Sequence, residues 1–216
     1  MRSATGSGRR TGAWRTAAAV TAALLLLAAT SGCGDDASSA GTGFHGAVLD
    51  EPYVVPQQPL TDTDGERYSL TADTDRPLTL VFFGYTACPD ICQTVMASLA
   101  SAMTRLDEQD RERVDVVFVT TDPARDDARA LRTYLDRFDP SFIGLTGDLE
   151  TIVDVGKPLA VAVEKGERLP SGGYEVTHST QVTAIDEHDR VPILWTQGTS
   201  SAQFADDIHR LLEDAT

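Results

Sequence analysis

The sequence predicts an α/β protein with a central mixed sheet, flanking helices and an N-terminal β-hairpin. Three observations carry this reading. Short apolar runs alternate with amphipathic stretches after residue 77. An Asp-Gly turn lies between strand-like pieces in LTDTDGERYSL (60–70). Near the end, TQVTAID and VPILW flank the polar EHDR as the two arms of a hairpin.

Taken in order, LTLVFFG (78–84) is apolar throughout, the pattern of a strand covered on both faces, and VDVVFVTTD (114–122) is a second. Between them Cys92, Val95, Met96, Leu99, Met103 and Leu106 recur at spacings of three and four, one apolar stripe on a helix. Pro89 suits the first helical position, which places Cys88 at the N-cap and Asp90 in the first turn. DDARALRTYLDRF (126–138) reads as a second helix, FIGLTG as a short strand, and a third helix begins near Asp148. EKGERLPSGGYE reads as a polar loop, and SAQFADDIHRLLEDA closes the chain as an amphipathic helix. No internal repeat is visible. Strand, helix, strand, helix, then a hairpin and a final helix, with cysteines at the first strand-to-helix junction, is the order of a thioredoxin-like fold.

The N-terminus addresses the compartment. Arg2, Arg9, Arg10 and Arg15 precede the apolar run AAAVTAALLLLAA, which is too short to span a bilayer comfortably and reads as a signal sequence over residues 1–32. It ends in TSGC, resembling a bacterial lipobox whose cysteine, here Cys33, is lipidated; Thr30 stands where such a motif has an aliphatic residue. Arg9-Arg10 lacks the flanking residues of a twin-arginine signal. The Gly/Ser/Asp run after Cys33 suits a tether over residues 33–52, leaving residues 53–216 as one domain with enough chain for its own core. Expected placement is the extracytoplasmic face of the membrane, held by lipid. Of 18 basic residues four lie in the leader, so the mature chain sets 14 against 33 acidic ones, a net charge of −19. Nucleic acid is therefore an improbable partner.

Cys88 and Cys92 are the only cysteines of the domain. At a helix start they face its positive end, which favours thiolate, and at four residues apart both sulfurs share one face. A structural disulfide, a redox pair and two legs of a soft-metal site all fit that spacing. Of metals, Cu(I) accepts two or three soft ligands, whereas zinc and iron–sulfur centres want four that the cysteine count does not supply.

FFGYTACPDIC, TTDPARD, RFDPSFIGLTG and VTHS, in this order and spacing, resemble the Sco/SenC family of membrane-anchored, copper-binding, thioredoxin-like proteins across residues 55 to 212. The resemblance implies copper, as Cu(I) or Cu(II), held by Cys88, Cys92 and His178, the last matching the family's histidine ahead of a late strand. Gln93 and Thr177 stand where the family has proline and aspartate. It further implies a role in assembling the dinuclear copper centre of cytochrome c oxidase, with oxidase subunit II or another copper chaperone as partner. Copper delivery and reduction of the target's cysteines by a Cys88/Cys92 redox pair need the same thiols. A thiol-disulfide oxidoreductase and a copper-sensing or sequestering protein are the alternatives. A peroxidase is the weakest, since no arginine stands near Cys88 in sequence.

His45, His188 and His209 lack a motif and are assigned no metal role. Met96 and Met103, the only methionines after the leader, belong to the core stripe, which excludes a methionine-rich copper site. Asp122 is expected near the cysteine rim, capping a helix or supporting the site, and Asp90 either favours a nearby cation or complements the helix dipole.

Overall fold

A computed structural model describes residues 43–74, 76–168 and 174–214; the leader, Cys33 and the first part of the tether lie outside the described residues. The strands are β1 (Ala47–Val54), β2 (Leu60–Asp62), β3 (Arg67–Tyr68), β4 (Leu78–Gly84), β5 (Val114–Thr120), β6 (Ile143–Thr146), β7 (Val163–Arg168), β8 (Tyr174–His178), β9 (Val182–Asp186) and β10 (Arg190–Trp195). The helices are α1 (Ile91–Arg105), α2 (Glu108–Arg111), α3 (Ala128–Leu135), α4 (Leu149–Gly156), continued by a short 3₁₀ turn (Lys157–Leu159), and α5 (Ser201–Asp214).

One sheet runs β1-β10-β9-β4-β5-β6-β2-β3. β4 lies parallel to β5, in register from Leu78↔Val114 to Gly84↔Thr120, and β5 parallel to β6. β9, β10, β1 and β2 join antiparallel, so the sheet is mixed, as its pattern predicts. Every residue of β4 is buried because helices cover both faces. Leu80 and Phe82 pack with the stripe of α1 and with Leu131 and Ile208, while Val81 and Phe83 pack with Ile152 and Val155 of α4. That alternation is the period of two of a strand, concealed in sequence because both faces are apolar.

The topology decides where function can lie. Because β4 and β5 are parallel, the segments leaving their C-terminal ends, 85–90 and 121–127, emerge at one edge of the sheet. β9 runs antiparallel to β4 and begins at Val182, opposite Phe82, so the residues just before it arrive at that same edge.

One local expectation holds and three change. The hairpin β2–β3 forms around Gly65, whose φ of 86° suits glycine, with Asp62 N–H donating to the Glu66 carbonyl at 2.9 Å. The sheet also takes in Ala47–Val54, most of which was read as tether; Asp50-Glu51-Pro52 interrupts its apolar pattern, and pairing with β10 shifts register there. EKGERLPSGGYE, expected as a loop, supplies β7 and part of β8, an antiparallel ribbon. The run EKGER holds no apolar residue and so shows no alternation, yet ladder hydrogen bonds need no apolar face. Finally, the second helix is shorter than 126–138, because Asp127 caps it by accepting from Ala130 N–H at 2.7 Å and leaves Asp126 outside.

Two carboxylates anchor α5. Asp207, fully buried, accepts from the backbone N–H groups of His45 and Gly46 and from Trp195 Nε1 at 2.7 Å, fixing the start of the domain to its last helix. Asp110 on α2 lies 2.6 Å from His209 Nδ1. The hydrogen bond to Asp110, then its charge, holds the His209 imidazolium pKa above its ordinary value. A raised folded-state pKa stabilises fully below the unfolded value of about 6.5 and is lost as pH climbs through the folded pKa. The urea midpoint is therefore expected to fall between about pH 6 and the alkaline side of neutrality. In His209→Gln that slope should flatten, and an unchanged slope would contradict the contact.

Candidate metal centre

β4 ends at Gly84, where glycine is demanded by space: a Cβ there would meet the Phe82 and Phe118 rings at 2.9 Å and Cys92 Sγ at 3.1 Å. The missing side chain seats the inner sulfur. Cys88 N–H donates to the Tyr85 carbonyl at 3.1 Å, closing a turn, and Cys92 N–H donates to Cys88 Sγ at 3.4 Å. Helix α1 begins at Ile91 with Asp90 at its N-cap, two residues later than the Pro89 pattern predicts. The Asp90 carboxylate makes no capping bond, and instead the Cys88 sulfur accepts an N–H of the first turn. Cys88 thus caps the helix through space although it precedes the cap position.

Neither cysteine is in a disulfide; Cys92 is fully buried and Cys88 is 5% exposed. Burial, reinforced by the hydrogen bond with Cys88, raises the pKa of Cys92 strongly, which corrects the expectation of an activated thiolate at both positions. Desolvation outweighs the helix terminus at the inner sulfur. Tyr85, hydrogen-bonded to Cys88, has its phenol pKa raised by burial and by the two cysteines.

A buried carboxylate frames this turn. Asp126 accepts from Thr86 N–H at 2.8 Å, Thr86 Oγ1 at 2.6 Å and Thr120 Oγ1 at 2.7 Å, tying the segment after β4 to the end of β5. Asp122, also fully buried, does not cap α3; its carboxylate pairs with Arg125, and the Arg125 guanidinium lies over the Tyr85 ring, 5.9 Å from its centroid. An arginine that sequence spacing does not place near Cys88 therefore reaches the tyrosine beside it. Its charge is engaged by Asp122.

His178 closes β8, its backbone paired with Val163, and the chain turns at once into β9, with Ser179 N–H donating to the Ala162 carbonyl at 3.1 Å. Its backbone thus comes to the edge that carries the cysteines; its side chain lies outside the described part of the structure. The other histidines are engaged elsewhere. His45 Nε2 lies 3.2 Å from Asp206, and although ligand atoms of His45, Asp206 and Asp207 fall within 4.8 Å of one another, three N–H donors already occupy Asp207. His188 is exposed in the β9–β10 turn.

A family model described as SCO1/SenC matches residues 48–213. The chain belongs to the SCO1/SenC family. A mouse SCO2 homolog, a mitochondrial protein, is 31% identical over 132 residues, 61% of this chain and 52% of the mouse protein. A Danio rerio SCO2 homolog is 35% identical over 108 residues, 50% of this chain and 39% of its own length, so this chain spans about half of the mouse relative and less of the Danio one. The apo Sco1 protein of Thermus thermophilus is 30% identical with a TM-score of 0.71, covering 80% of this chain and 99% of that one. Arabidopsis thaliana ScoI with copper bound is 27% identical with a TM-score of 0.67, covering 76% and 98%. Bradyrhizobium japonicum ScoI, also with copper bound, is 28% identical with a TM-score of 0.63, covering 74% and 98%.

For this SCO1/SenC chain, the residue that sequence reading missed is Asp126, concealed by the Asp126-Asp127 pair that reads as a helix start. Asp126→Ala would strand three donors and is expected to destabilise by about 3 kcal/mol. It should also speed alkylation of Cys88 as the turn loosens. An unchanged urea midpoint with unchanged alkylation would show that the turn holds without this carboxylate.

Proposed function

We propose that this chain binds one copper ion through Cys88, Cys92 and His178 and serves in assembly of the dinuclear copper centre of cytochrome c oxidase. The observation that carries the reading is the pair of thiols, not joined in a disulfide, four residues apart at the start of α1, with the His178 strand end delivered to the same edge. Copper-bound relatives in Arabidopsis and Bradyrhizobium support the metal, and family membership supports the role. The leader pattern supports lipid attachment at Cys33 on the extracytoplasmic side.

The chemistry follows from the donors. Two sulfurs suit Cu(I), and an imidazole nitrogen adds the harder ligand that Cu(II) prefers. Copper is cargo here. Its capture must displace the proton that burial holds on Cys92, so apparent Cu(I) affinity should rise with pH. A second reading, reduction of an acceptor's disulfide, is favoured by the arrangement of an outer sulfur, Cys88, ahead of a fully buried one, Cys92. Cys88 would attack and Cys92 would resolve.

Metal analysis after Cu(I) and Cu(II) exposure tests the proposal. One copper per chain is expected, lost in Cys88→Ser and in Cys92→Ser; stoichiometric copper in either variant would refute the site. His178→Ala should lose the sulfur-to-Cu(II) absorption while keeping Cu(I). A wild-type Cu(II) spectrum in that variant would remove the histidine from the site and shift the case to thiol exchange.

A further inference from the structure

Beside the cysteine turn, a groove of about 510 Å³ runs between Thr86 and α3, lined by Asp127, Arg129, Thr133, Tyr134 and Arg137. We propose that this groove docks an acidic segment of the polypeptide that presents a cysteine to Cys88. The inference rests on the proposed copper or thiol exchange and names the surface that would receive the partner.

Charge is the first argument. The chain has 33 acidic residues against 18 basic ones, so a basic face is not what its composition would scatter by chance. Among the described residues, the salt bridges engage neither Arg129 nor Arg137, so no carboxylate of this chain is ion-paired with either guanidinium of the groove. The one acid in the groove, Asp127, uses an oxygen to cap α3.

Preorganisation is the second. Arg137 lies over the Tyr134 ring, 4.9 Å from its centroid, and its Nε donates to the Tyr134 carbonyl at 3.4 Å, so the guanidinium is held on the groove with terminal N–H groups to spare. A planar fork presented this way matches a carboxylate. Position is the third. The groove ends at Thr86, two residues before Cys88, the more accessible of the two sulfurs, and Asp126 fixes that turn. A carboxylate held by Arg129 and Arg137 would bring the chain that carries it alongside the reactive edge.

The test uses the full chain with Cys33→Ser, so that only Cys88 and Cys92 react. The probe is a short peptide whose single cysteine is flanked by four glutamates and carried as its mixed disulfide with 2-thiopyridine, compared with the same peptide bearing glutamines. The Cys88 thiolate attacks the peptide sulfur, a Cys88–peptide disulfide forms as the peptide–thiopyridine bond breaks, and the leaving sulfur departs as 2-thiopyridone with the proton lost by Cys88. At low salt the glutamate peptide is expected to react about tenfold faster, with the advantage vanishing near 0.5 M salt by about the shortening of the Debye length. Arg129→Glu/Arg137→Glu should remove the preference; Arg129→Gln/Arg137→Gln serves if the reversal fails to fold, and the salt series needs no variant. Equal rates for the two peptides, or a preference that survives the substitutions, would overturn the proposal. So would loss of binding to phosphatidylglycerol vesicles in the variant without any peptide preference, which would assign the arginines to a lipid surface. Copper stoichiometry, measured in parallel, keeps the two claims apart. A chain that binds no copper yet prefers the acidic peptide refutes the metal reading alone.

Discussion

Asp126 is the constraint on which the cysteine edge depends. Its carboxylate accepts three hydrogen bonds from two threonines that leave different strands, Thr86 beyond β4 and Thr120 at the end of β5. A buried charge is tolerable only when so satisfied, and once satisfied it fixes both segments. The parallel pairing of β4 with β5 brings the two segments to one edge, and Asp126 turns that proximity into a defined shape. Around it stand Asp122, Arg125 and Tyr85, which lead outward to Cys88.

Burial sets the chemistry of the thiols. Gly84 leaves room for the Cys92 sulfur behind β4, and the apolar stripe of α1 carries that residue into the core. The consequence is an inner thiol that resists ionisation and an outer one, Cys88, at the rim. The inner thiol keeps its proton until a soft cation displaces it. The proposed copper site and the alternative thiol exchange would draw on this one geometry, an outer sulfur ahead of a buried one.

Much of this was legible in the chain. The all-apolar LTLVFFG and VDVVFVTT runs announce central strands, and the three-and-four spacing from Cys92 to Leu106 announces α1 with its buried face. The cysteine pair itself is readable because F-G-Y-T-x-C-P-D-I-C is a contiguous string. What stayed hidden has physical causes. In β7 the run EKGER carries no apolar alternation, so nothing marks it as a strand. Pro89 fits a first helical turn but sits in the preceding one, since the Cys88–Tyr85 turn closes first. Asp126 and Arg125 act across the sheet edge on residues some forty positions earlier, a relation that only the parallel register of β4 and β5 creates.

The central claim is that Cys88, Cys92 and His178 converge on one metal ion. X-ray absorption spectroscopy at the copper edge of the Cu(I)-loaded full chain with Cys33→Ser tests it most directly, because the scattering counts sulfur and nitrogen neighbours separately. Two sulfur neighbours with one imidazole nitrogen, the nitrogen lost in His178→Ala, are expected. A single sulfur, or a shell of nitrogen and oxygen alone, would contradict the convergence.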